Sequence, residues 1–126
     1  MEEKNTKIDP KYLGIPNICF SLTEPDDARE PEFSKQRIER GFDRSELWSL
    51  RDTIGNFILP RLKAFIPIKE DIVLRDKKYW RDLNRAVKAF ELLVRDNGSF
   101  ILNKQELRQY RRGMAAYHKL FLTLWY

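Results

Sequence analysis

The sequence predicts an all-α protein: a three-helix, bundle-like body behind an extended, proline-rich N-terminal arm. Three observations lead there. Apolar residues recur at three- and four-residue spacing through 47–65, 80–94 and 107–124, the period of a helix with one face turned inward. Residues with capping chemistry stand where two of these runs begin, Asp43 with Glu46 and Asn103 with Glu106. Four prolines, at 10, 16, 25 and 31, crowd the early chain and disfavour helix there. Residues 1–40 therefore read as an irregular arm and 41–126 as the helical body of a single domain.

Within the arm, Ile18-Cys19-Phe20-Ser21-Leu22 can form one short strand or extended segment, and Glu24 to Glu32 reads as an acidic exposed loop. Phe33, Ile38 and Phe42 then suggest the chain docking onto the core. The first helix is expected to begin near Asp43 and to bury Leu47, Leu50, Ile54, Phe57, Ile58, Leu62 and Phe65, with Trp48 beside them. Pro60 should kink it and Pro67 should end it. Gly55 leaves bare backbone where a neighbouring helix can approach. Ile72-Val73-Leu74 reads as a loop anchor. The second helix is expected over Asp76–Arg95, with Trp80, Leu83, Val87, Phe90 and Val94 inward, and Asp96-Asn97-Gly98 stops it. The third starts at Asn103 and carries Leu107, Tyr110, Met114, Tyr117, Phe121 and Leu124 to the end of the sequence.

Composition narrows the function classes. The chain has 126 residues, 42% hydrophobic and 34% charged, too apolar and aromatic for a disordered chain. No apolar run is long enough to span a bilayer, so no membrane association is expected. The opening residues lack a signal-peptide core, which points to a cytoplasm. A lone cysteine, Cys19, forbids an internal disulfide and reads as a small buried hydrophobe. The net charge of +5 hides a split. Residues 1–33 hold eight acidic and four basic side chains, and residues 34–126 hold eleven acidic and twenty basic ones. That asymmetry suits an acidic arm over a basic body, or a basic body meant for another anion.

The catalytic inventory is thin. The single histidine, His118, sits in an apolar stretch and reads as a core-edge residue without a partner base or nucleophile. Glu-x-x-His spacing is absent, because residue 115 is Ala, and the five glycines are isolated rather than clustered in a phosphate loop. Asp26-Asp27 reads as a solvated pair in a loop. No catalytic residue, metal site or cofactor is expected, and the chain reads as non-enzymatic.

Two surfaces remain as candidates. Lys78, Arg81, Arg85 and Lys88 recur along one face of the second helix, and Lys104, Arg108, Arg111, Arg112 and Lys119 do so on the third. Lys78, Arg81, Arg85, Lys88, Arg108, Arg111 and Arg112 are thus a candidate anion face. They are either a solvated surface or a track for a phosphate backbone, with Arg61 and Lys63 able to extend it. The stretch 120–126 is apolar on nearly every side of a continued helix. That marks Leu120, Leu122, Trp125 and Tyr126 as core or as a candidate interface. Gly113, Ala115 and Ala116 form a small-residue patch for another backbone.

The run Arg40 to Leu50, continuing through Ile54 and Phe57-Ile58-Leu59-Pro60-Arg61-Leu62-Lys63, carries a Gly-Phe…Trp-Ser-Leu…Ile-x-x-Phe-Ile-x-Pro-Arg-Leu pattern. It resembles a family of small tailed-bacteriophage proteins of no assigned activity. Trp80 with Ala89-Phe90-Glu91, and the close through Gly113-Met114, Lys119, Phe121 and Leu124-Trp125, are similar to the same family, which together covers roughly 40–126. The resemblance implies a phage origin and expression in a bacterial host, and no ligand or catalytic residue. Bottom-up, the motif residues Trp48, Leu50, Ile54, Phe57 and Leu62 suit a buried helix face, and Arg61 is expected to find an internal carboxylate. The expected function is binding of a host or phage protein, or self-association into a homo-oligomer. The alternative is sequence-independent nucleic-acid binding.

Overall fold

Pro31 stands where a helix starts, not where one fails. Its missing N–H costs nothing in a first turn, and α1 runs over Glu30–Arg40 with Pro31 at its head. Glu30 and Glu32 occupy the first turn and Arg37 and Arg40 the last, matching the helix dipole at both ends. Gly41, at φ 89°, closes α1 with its N–H donated to the Arg37 carbonyl at 2.8 Å. The coil expected through residue 40 is therefore corrected: its last eleven residues are helical.

A computed structural model describes residues 20–72, 76–98 and 100–126. The fold is all-α. After α1 come a 3-10 turn at Arg44–Leu47, α2 over Leu50–Ile72, α3 over Lys77–Gly98, α4 over Lys104–Leu120 and a second 3-10 turn at Phe121–Thr123. Among the described residues there is no strand. Phe20–Leu22 are non-regular, while Ile18 and Cys19 lie outside the described residues, as do Pro10, Pro16, Val73 and Leu74. The chain divides into two compact units, one ending at Leu50 and the other spanning Arg51–Tyr126.

In the first unit Phe33 is fully buried, with the Trp48 ring edge-on at 6.1 Å. Beneath it lies a buried polar knot. Asp43 accepts from the Ser45 amide (2.8 Å) and hydroxyl (2.6 Å) and from Arg37 Nη1 (2.5 Å). Glu46 reaches back to the Asp43 N–H at 2.9 Å, completing the capping box read from the sequence, although the turn it caps is 3-10. Three of the acids before Arg40 are paired within this unit: Asp27 with Arg29, Glu30 with Arg37 and Glu32 with Arg44.

The second unit supplies the three-helix body. α2 continues through both Pro60 and Pro67, so Pro67 does not end it. Packing of Leu62, Phe65 and Ile66 on the core outweighs the two missing backbone donors. The core is Leu62 of α2, Leu83, Ala86, Phe90 and Leu93 of α3 and Leu120 of α4. Trp48, Leu50 and Ile54 are largely exposed, and of the motif's apolar residues Leu62 is the buried one. α3 and α4 run antiparallel, with Asp82 meeting Lys119 toward one end and Arg95 meeting Glu106 toward the other. The glycine expected beyond α3 lies in its last turn, and the positive φ falls instead on Phe100, at 49°. Asn103 caps α4 as expected, its side chain accepting from the Glu106 N–H at 2.8 Å.

Candidate interaction surfaces

Small residues decide how close α3 and α4 come. A Cβ on Gly113 would stand 2.2 Å from the Arg85 carbonyl oxygen and 2.5 Å from Ala89 Cβ. Gly113 thus receives a helix of its own body, with Ala116 buried as well, whereas Ala115 is exposed and takes no part. This approach brings the flanks of the two helices into one surface, where Arg85, Lys88, Gln109 and Arg112 line a concavity of about 170 Å³. Lys78, Arg81, Arg108 and Arg111 are exposed on the same helices but do not line it. Gln109, a neutral donor in its lining, had no signal in a charge pattern.

The acids near this concavity are already held. Asp82, almost fully buried, accepts from Arg85 (3.5 Å) and from Lys119 (3.2 Å). Glu106 takes Arg95 at 2.5 and 3.2 Å. That pairing first, and the Asn103 N–H second, hold the Glu106 carboxyl down at about 2. Among the described residues no carboxylate lies within ion-pair distance of Lys88, Arg108, Arg111 or Arg112.

The 121–126 stretch is corrected most. α4 stops at Leu120, one 3-10 turn follows, and residues 124–126 are irregular, so no all-apolar helix exists here. The irregular backbone is held by Lys69, which is 6% exposed and two residues past Pro67. Its ammonium donates to the Thr123 carbonyl at 3.2 Å and the Trp125 carbonyl at 2.8 Å. The Trp125 ring centroid lies 4.5 Å from the ammonium, and Tyr79 and Phe65 stand about the same cation at 5.9 and 6.0 Å. Thr123 is further fixed by the Tyr79 hydroxyl at 3.0 Å and by its own donation to the Leu120 carbonyl. Leu120 is 6% exposed and belongs to the core, whereas Leu122 (87%), Trp125 (67%) and Tyr126 (69%) are exposed. Nothing in the sequence flagged Lys69, whose acceptors lie 54 and 56 residues away.

Arg61 takes no carboxylate among the described residues: it donates to the Phe57 carbonyl at 2.9 Å and lies 4.0 Å over the Phe57 ring. His118 is exposed on α4 rather than at the core edge. In the first unit burial alone would raise the Asp43 carboxyl, but hydrogen bonds from Ser45, Ser21 and Arg37 outweigh it and hold the group below the usual range. Among the described residues no group of His, Cys, Asp and Glu could hold a metal ion. No helix among them is long and apolar enough to cross a membrane. Comparison with protein-family models, with curated proteins and with solved structures finds no match for this chain.

Proposed function

We propose that this chain is a small, non-enzymatic phage protein that acts in the host cytoplasm by binding another protein, a host factor or an assembly component. One observation carries the reading. The 121–126 backbone is tied down through the Thr123 and Trp125 carbonyls while Leu122 and most of the Trp125 and Tyr126 surface stay exposed to solvent. An anchor whose backbone is already ordered loses little conformational freedom on docking, and aromatic side chains dominate such contacts. The phage setting rests on the Gly-Phe…Trp-Ser-Leu…Pro-Arg-Leu resemblance between residues 41 and 62.

The test is recovery of a partner from infected cells by tagged protein, with and without nuclease, alongside the mass of the purified chain in solution. The expected result is a nuclease-resistant partner, or a defined homo-oligomer, that wild type retains and Leu122→Asp with Trp125→Ala loses. A monomeric chain whose partners are unaffected by these substitutions overturns the reading.

A further inference from the structure

We infer that the concavity between α3 and α4 is an oxyanion site for the sugar–phosphate backbone of a nucleic acid, separate from the 121–126 surface. Three cations, Arg85, Lys88 and Arg112, meet there with the Gln109 amide, in a space of about 170 Å³, room for a phosphate group and its water. Like charges gathered this way repel one another, and a bound anion relieves that repulsion. Among the described residues no carboxylate pairs directly with Lys88 or Arg112, although Glu106 acts on Lys88 through space. Asp82 is engaged by Arg85 and Lys119, and Glu106 by Arg95.

The arrangement favours a polymer over a single phosphate. Because α3 and α4 are antiparallel, Arg81 extends the row one turn beyond Arg85, and Arg108 extends it one turn beyond Arg112 in the other direction. Arg81 to Lys88 alone is seven residues, roughly 10 Å of helix rise. A row of separated cations at the seam of two helices suits a regularly repeated charge. No aromatic ring lines the concavity for stacking, so the contact is with backbone and is indifferent to base sequence. The geometry also sets what holds the row together: the Gly113–Ala89 approach places the Arg112 flank beside the Arg85 flank.

The full chain is titrated into a fluorescent duplex, and into its single strand, of about twenty nucleotides, between about 50 and about 200 mM salt. The variants are K88E/R112E and, as an equal change of charge on exposed residues of the first unit, K35E/R40E. The expected result is at least tenfold weaker binding by K88E/R112E with a salt slope lower by about two, and K35E/R40E within threefold of wild type. If circular dichroism shows K88E/R112E unfolded, K88Q/R112Q is read by the same criteria. Failure of wild type to bind either nucleic acid at the lowest salt overturns the proposal, and so does equal weakening by both pairs. Tighter binding to a phosphopeptide or to phosphatidylglycerol vesicles than to nucleic acid overturns it too. None of these variants touches Leu122, Trp125 or Tyr126, so this result and the docking result fail independently.

Discussion

A methyl group at residue 113 would have to displace main chain, the Arg85 carbonyl at 2.2 Å, whereas one at Gly55 would meet only the Val94 and Leu93 side chains, at 2.8 and 3.0 Å. Side chains can rotate away and a packed backbone cannot. Gly113→Ala is therefore expected to lower stability by about 1–3 kcal/mol in urea unfolding, and Gly55→Ala by less. The reverse order would show that α3 and α4 separate more easily than the contact implies. Both glycines were legible as places of close approach, because bare backbone in an apolar helix has few other uses. What the sequence could not say was which neighbour each would meet.

At the scale of the element, α4 depends on its first turn. The Glu106 carboxyl is held at about 2, against 4.5 for the ordinary group, chiefly by Arg95 and then by the Asn103 N–H. A folded value below the unfolded one means that the contribution is whole above about pH 4.5 and is lost as pH falls toward about 2. Asp27, held at about 2 by Arg29, behaves likewise in the first unit. Glu106→Gln keeps the cap's acceptor and removes the charge. The fall in melting temperature between about pH 5 and about pH 2 is expected to be smaller in that variant than in wild type. An identical fall would mean that the Arg95 contact adds nothing. Asn103→Ala removes the cap itself and is expected to cost about 1 kcal/mol at neutral pH. These caps were readable because capping is local chemistry over four residues. The ends of α1 and α2 were not, for an equally physical reason. A proline is compatible with a helix start or with a break, and Pro31 and Pro67 are told apart only by what packs around them.

For the whole molecule, the division at Leu50 separates two ways of building an interior. The unit before it centres on Phe33 and an ionic knot of Asp43, Ser45, Glu46 and Arg37, and the unit after it on a conventional apolar core. A buried carboxylate knot fails as a group when one member is removed. Asp43→Ala is therefore expected to abolish hydrogen-exchange protection across α1 while leaving α3 and α4 protected, read by mass spectrometry. Uniform loss would show that the units stand or fall together. The charge split between arm and body was plain in the sequence. The pairing of Glu30 with Arg37 and of Glu32 with Arg44 was not, because it needs α1 to form first. The backbone of residues 121–126 is bonded to a single distant amine, and that arrangement has a chemical consequence. Lys69 is buried with its ammonium directed at two carbonyls, so an acylating reagent that labels Lys63, Lys88 and Lys119 within minutes should leave it unmodified. Its slow labelling would then time how often those last residues lift away, one acyl group recording each chain that opened.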